Sequence, residues 1–287
     1  MNVKKISVLG SGIMGSGIAQ VSAAAGFETV LYDISKDALY KALSVITKNL
    51  DKGVEMGKLT AEDKKATLEH LSINDELETS VRDADFVIEA APEKIDLKIK
   101  LFSRLDTVCK QDAILATNTS SLSITEIAAV TNRPRKCIGM HFFNPVHKMK
   151  LVEIIKALET DGETVRITQE VSKCMGKEIV TIKESPGFIT SRINAMIGNE
   201  AFYMLQEGVA SAKDIDTALK LGLNHPMGPF EMVDLVGLDT RLSILEYLHK
   251  SLGEKYKPCP LMVQYVKAGR LGKKAGKGVY EYPDNKK

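Results

Sequence analysis

"ISVLGSGIMGSGIAQ", residues 6–20, decides the fold. An apolar run over residues 6–9 stops at Gly10, and small residues at helical spacing follow, so the segment reads as a strand, a tight turn and a helix. Gly10, Gly12 and Gly15 stand in G-x-G-x-x-G spacing: the first for the turn, the second for close approach of backbone to a pyrophosphate, the third for packing the helix on the sheet. The phosphates of a dinucleotide would meet the helix N-terminus, where free N–H groups and the helix dipole favour negative charge. Glycine-rich turns are common, and it is the flanking strand and helix that make this one specific.

Outward from the loop, the next apolar run, "ETVLY", ends at Asp33, 18 residues after Gly15. A carboxylate there can accept hydrogen bonds from the adenosine ribose hydroxyls and repels a 2′-phosphate, which favours NAD over NADP. Asp33 is also placed to start the following helix, and the two roles are compatible. Lys36, three residues on, works against the preference.

"DFVIEAA", "AILAT" and "KCIGMHF" continue the alternation of strand-like and helical segments, and "KLVEII" and "KEIVTI" add two more strands. This pattern predicts an α/β fold: a Rossmann-like, mostly parallel sheet with helices on both faces. Ser35 precedes one helix, and Thr60 with Asp63 three residues later forms a capping-box pattern before another. Beyond "KESPGF" strand candidates nearly vanish, so a boundary near Ser185 divides residues 1–185 from an all-helical domain over 186–287.

Length and composition agree: 287 residues with 44% hydrophobic content suffice for two cores. No apolar run reaches bilayer length and no signal-peptide core opens the chain, which predicts a cytoplasmic protein without a membrane partner. A net charge of +2 argues against a nucleic-acid partner, and Cys109, Cys137, Cys174 and Cys259 have neither metal-site nor disulfide-framework spacing.

In an open α/β sheet, ligands bind beyond the carboxyl ends of the strands. Polar groups gather there: residues 89–93, 118–121 and 141–144 each follow a strand. His141, at the end of an apolar run, would ordinarily be a half-buried residue hydrogen-bonded to backbone. Glu153, between Val152 and Ile154, is either a solvated edge-strand carboxylate or one that needs a partner. A His141–Glu153 pair would explain both, because the carboxylate would fix the imidazole tautomer.

"ATNTSSLSITEIA", "IGMHFFNPVHKMKLVEII", "KESPGF", "HPMGPFEMVDLVGLD" and "GKKAGKGVYEY", in that order behind the dinucleotide loop, resemble the L-3-hydroxyacyl-CoA dehydrogenase family, in particular its short 3-hydroxybutyryl-CoA branch. The resemblance covers nearly the whole chain. It implies NAD-dependent oxidation of a 3-hydroxyacyl-CoA thioester by a homodimer whose helical domain serves substrate binding and dimerisation. His141 matches the family's general base, Glu153 its partner, and Ser120 the serine that holds the substrate oxygen. Cofactor contacts match Gly10, Gly12, Gly15, Asp33, Glu93, Lys98, Asn144 and Lys274. Lys98 also reads as a solvated helix residue, and the loop around Lys274 as a mobile one.

One position departs from the family. Where "PGFITSR" has Ser191, the family usually has an asparagine thought to position the substrate or the histidine, and Asn194 lies about one turn later. In "KNLDKGVEMGK", Lys48, Lys52 and Lys58 are candidates for CoA phosphates or for a solvated charged face. Two other functions fit the same features: a dehydrogenase of a free hydroxy acid, and a non-catalytic NAD-binding protein.

Overall fold

The computed structural model describes residues 3–282. The chain divides after Glu184 into two compact units. The first is built on one eight-stranded sheet. Its strands are β1 (Lys5–Leu9), β2 (Glu28–Tyr32), β3 (Leu71–Asn74), β4 (Phe86–Glu89), β5 (Ile114–Thr117), β6 (Cys137–Phe142), β7 (Leu151–Lys156) and β8 (Glu178–Lys183). They lie in the order β3-β2-β1-β4-β5-β6-β7-β8. From β1 to β6 all neighbours are parallel; β7 runs antiparallel to β6, and β8 follows β7. Chain order therefore reverses between β1 and β4, which is where such sheets open a ligand crevice.

The helices of this unit are α1 (Ile13–Ala24), α2 (Lys36–Glu55), α3 (Ala61–Glu69), α4 (Leu77–Val81), α5 (Ile95–Val108), α6 (Ile124–Ala128) and α7 (Gly162–Cys174). Strand alternation sorts the apolar residues into two cores. Ile6, Val8, Phe86, Ile88, Ile114, Ala116, Met140, Val152 and Ile154 pack with α1, α2 and α7. Val87 and Leu115 point the other way, onto Phe102 and Leu105 of α5 and Ile127 of α6. By the same alternation Glu89, Thr117, His141 and Glu153 all belong to the α5/α6 face, so four polar residues gather beyond one core.

The expected helix starts are present. Ser35 Oγ accepts from Ala38 N, and Thr60 and Asp63 form a reciprocal capping box. One strand lies outside the sequence-based reading: β3, a half-buried four-residue strand at the sheet edge, too short to show a period.

The second unit holds α8 (Thr190–Gln206), α9 (Ala212–Gly222), α10 (Pro229–Val236), α11 (Leu238–Leu252) and α12 (Pro260–Lys267). Its core centres on Phe202, which meets the rings of Phe230 and Tyr265 edge-on at 5.2 and 5.7 Å. Two buried carboxylates fasten the C-terminal segment. Asp234 accepts from Val279 N, Tyr280 N and Tyr282 Oη at 2.8–2.9 Å, and Asp216 accepts from Tyr280 Oη at 2.7 Å. The loop carrying Lys274 is closed by a Gly272–Lys277 bridge, so it is a built turn.

Candidate active site

The glycine loop stands at the reversal between β1 and β4. Gly10 has φ +98°, and a Cβ there would come within 2.7 Å of Ala90 O, at the end of β4. A Cβ on Gly15 would overlap the carbonyl of Gly10. Packing thus accounts for both glycines. Gly12 differs: a Cβ there would meet no protein atom within 4 Å, and no side chain caps the start of α1. Open space against uncapped N–H groups is the shape and polarity that a pyrophosphate requires, so the residues present fit a dinucleotide.

Asp33 caps this loop. Its Oδ2 accepts from both Ser11 N and Ser11 Oγ at 2.8 Å, and Oδ1 from Ser35 N at 3.1 Å. Partial burial works to raise its pKa, but the Ser11, Ser35 and Ile34 donors outweigh it and hold the carboxyl below its ordinary value. Lys36 pairs with Asp75 at 3.2 Å, so its charge is engaged away from Asp33. The opposing influence expected from Lys36 is correspondingly weakened.

A cleft of about 1810 Å³ opens within this unit, lined by Gly12, Asp33, Lys52, Lys58, Pro92 and Asn144 among others. Asn144 is exposed, and Lys48 does not line the cleft. The loop after Asn144 is tied down. Lys177 Nζ donates to Val146 O at 2.5 Å and Met149 O at 2.9 Å, while the Val146 side chain packs over Gly17 of α1.

His141 and Glu153 are Cα partners across the antiparallel β6–β7 pair, and His141 Nδ1 lies 2.7 Å from Glu153 Oε2. Both are buried, at 7% and 1% exposure, and Phe143 covers the imidazole with its ring centre 4.5 Å away. Of the two readings of Glu153, the solvated edge carboxylate is excluded. Nor is His141 explained by a backbone contact alone.

Ser120 lies in the loop after β5. Its N–H donates to Glu93 Oε1 at 2.8 Å and its Oγ stands 3.3 Å from the same oxygen. Lys98 is 1% exposed, which corrects its reading as a solvated helix residue. It falls on the buried stripe of α5 with Phe102 and Leu105, and a lysine on that stripe was the available signal. Its ammonium meets Glu89 at 2.6 Å and Glu93 at 3.4 Å.

Glu89 and Asn118 were seen in sequence only as part of the polar edge. The structure makes Glu89 a fully buried carboxylate, and Asn118 Oδ1 accepts from Phe142 N at 2.9 Å, pinning the strand end beside His141. In the second unit, Ser191 lies half-buried in the first turn of α8, and Lys274 pairs with Asp239 at 2.7 Å. Among the described residues no group of three or more His, Cys, Asp or Glu side chains is arranged to hold a metal ion.

Two family models match the chain: "3-hydroxyacyl-CoA dehydrogenase, NAD binding domain" over residues 5–185 and "3-hydroxyacyl-CoA dehydrogenase, C-terminal domain" over 187–282. A probable 3-hydroxybutyryl-CoA dehydrogenase of Bacillus subtilis is 49% identical over 285 residues, covering 99% of each chain. The 3-hydroxybutyryl-CoA dehydrogenase of Clostridioides difficile is 47% identical, covering 97% of this chain and 99% of its own. Among solved structures, the (S)-3-hydroxybutyryl-CoA dehydrogenase of Ralstonia eutropha superposes with a TM-score of 0.95 at 43% identity, over 98% of this chain and 99% of that one. A dinucleotide loop at the sheet reversal, a buried His–Glu pair on β6 and β7 of the same sheet and full-length similarity of this degree agree: the chain belongs to the 3-hydroxyacyl-CoA dehydrogenase family, a family of NAD-dependent oxidoreductases.

Proposed function

We propose that the protein oxidises (S)-3-hydroxybutyryl-CoA, or another short 3-hydroxyacyl-CoA, reversibly to the 3-ketoacyl thioester with NAD. The observation that carries this reading is the 2.7 Å contact between His141 Nδ1 and Glu153 Oε2 at the carboxyl edge of the sheet, in a chain of this family. A carboxylate can only accept, so Nδ1 carries the proton and Nε2 presents its lone pair. Nε2 takes the proton of the substrate 3-hydroxyl as C3 loses its hydride, and Glu153 stabilises the imidazolium that forms. General-base help of this kind contributes roughly 10²–10⁴-fold. NAD, when bound, supplies the hydride acceptor.

The remaining roles belong to the chain. Gly10, Gly12 and Gly15 shape the pyrophosphate site, Asp33 receives the adenosine ribose, and Asn144 and Glu93 flank the nicotinamide half. Ser120 holds the substrate oxygen, and Lys52 and Lys58, on the cleft wall, receive CoA phosphates. Lys274 serves the cofactor and Ser191 the positioning role, each from the helical unit.

The helical unit also carries the dimer contact. Leu221, Leu223 and Leu235 are 82%, 66% and 52% exposed there, which supports a homodimer, and light scattering at the monomer mass would overturn it. Among the described residues no helix is long and apolar enough to cross a membrane, and a cytoplasmic place of work is part of the proposal.

The deciding experiment follows NADH oxidation with acetoacetyl-CoA and, in parallel, with free acetoacetate. Turnover of the thioester alone supports the proposal. Turnover of the free acid alone would replace it with a hydroxy-acid dehydrogenase, and no turnover with any 3-ketoacyl-CoA would leave an NAD-binding protein.

A further inference from the structure

The sheet edge beside the glycine loop gathers four hydrogen-bond donors, and each of them ends on a carboxylate. Three converge on Asp33: Ser11 N and Ser11 Oγ at 2.8 Å, and Ser35 N at 3.1 Å. Ser35 starts α2, a helix of 20 residues whose dipole favours negative charge at this end. The fourth donor is the ammonium of Lys36, in the first turn of the same helix, which meets Asp75 Oδ2 at 3.2 Å. A hydroxyl, backbone N–H groups and a cation are the donors that phosphate oxygens accept from.

Strands β2 and β3 bring the two carboxylates together. They run parallel with Tyr32 opposite Asn74, so Asp33 and Asp75 each stand one residue beyond a paired strand end, and Asp33 N donates to Asn74 O at 3.4 Å. The turn at Asp75 is fixed by Asn74, whose Oδ1 accepts from Glu76 N at 3.0 Å. One neighbour feels both acids: burial first, and then the charges of Asp33, Glu78 and Asp75, push the Tyr32 hydroxyl above its ordinary value. Glu78 has its own partner in Arg104, at 3.0 Å.

Where NADP is accepted, a cation close to the adenosine ribose holds the 2′-phosphate. Such a cation exists here, three residues after Asp33, but its charge is turned to Asp75 while the other three donors are turned to Asp33. We infer that this edge is a 2′-phosphate site closed by two carboxylates, and that Asp75 is a specificity-determining residue: it withholds Lys36 from NADP and so reinforces the preference for NAD that Asp33 sets. The inference rests on the reading of Asp33 as the acid that receives the adenosine ribose. The Lys36 and Asp75 side chains are 69% and 35% exposed, and an ion pair of that exposure shifts an equilibrium by no more than about fivefold. Asp75 is therefore the lesser of the two controls, and its effect is read with Asp33 removed.

The test is a set of titrations of the full-length protein with NADPH and with NADH, followed by nucleotide fluorescence. Asp33→Ser is the background, because it removes the ribose acid and releases the Ser11 and Ser35 donors. To it are added Asp75→Asn, which keeps the shape of the side chain, and then Lys36→Met. The expected result is that Asp75→Asn tightens NADPH by a further two- to fivefold or about that, leaves NADH affinity within about 1.5-fold, and loses its effect when Lys36 is methionine. No further gain for NADPH, an equal gain for NADH, or a gain that survives Lys36→Met would each overturn the inference, the last because loss of repulsion alone would then explain it. Asp33→Ser by itself tests the ribose reading: an unchanged ratio of NADPH to NADH affinity removes that reading and the inference with it.

Discussion

His141 and Glu153 stand directly opposite each other on the antiparallel strands β6 and β7, and their side chains meet at 2.7 Å. The neighbouring residues Met140 and Ile154, also opposed, point into the core on the other face. Glu153→Gln keeps the shape but replaces the accepting oxygen pair by an amide, which no longer dictates the imidazole tautomer. Its kcat with acetoacetyl-CoA should fall by about 10- to 10³-fold, and that of His141→Ala by roughly 10²–10⁴-fold, with NADH affinity retained in both. Steady-state kinetics beside fluorescence titration of NADH check this.

Gly12 and Gly17 should respond in opposite ways to alanine. At Gly12 the new methyl enters open space, so the urea midpoint should hold while NADH affinity drops. At Gly17 it would lie 2.8 Å from Val146 Cβ, in a loop that Lys177 ties down, and overpacking of this kind costs about 1–3 kcal/mol. Urea denaturation and NADH titration on both variants separate the two effects.

Asp33→Ser should narrow the gap between NADH and NADPH by about tenfold or more in kcat/KM, equivalent to roughly 1.4 kcal/mol. The carboxylate that repels a 2′-phosphate is then gone, while Lys36 stays engaged with Asp75. The same residue predicts an acid limit. Its folded pKa is held below the ordinary value, so its contribution to stability is present above about pH 4 and is lost as pH falls through the lowered folded value. Asp33→Asn should flatten that part of the acid denaturation curve.

Cys174 should be the thiol that reacts in the native protein. Burial pushes the Cys109 and Cys137 thiols up to about 11 and raises Cys259 as well, whereas Cys174 is exposed. At pH 8, Ellman's reagent should label Cys174 rapidly and the other three only after denaturation, since the thiolate is the reactive form.

The sheet and the glycine loop were legible because they rest on periodicity and on glycine's backbone freedom, both local properties. His141 and Glu153 were legible as two anomalies in apolar strands, and pairing them required only that β7 return beside β6. Lys98 was less so. It lies between Leu97 and Ile99 in a helix that mixes charged and apolar residues, and its burial follows from a helix stripe and from two carboxylates, Glu89 at the end of β4 and Glu93 just beyond it, that the fold sets against α5. Glu89 was legible only as part of the polar edge, for a similar reason: a carboxylate ending a strand looks solvent-exposed until the lysine that compensates it is placed. Edge strand β3 was too short for its pattern to register.

The antiparallel return of β7 has one more consequence. It places the proposed base and its carboxylate partner on a single hairpin spanning residues 137–156, which Asn118 and Lys177 brace from outside. The residues proposed for recognition, by contrast, are scattered from the first loop to the last helices. On the proposed reading, proton transfer is inherited as one cassette, and the choice of substrate can drift through remote substitutions while that cassette stays unchanged.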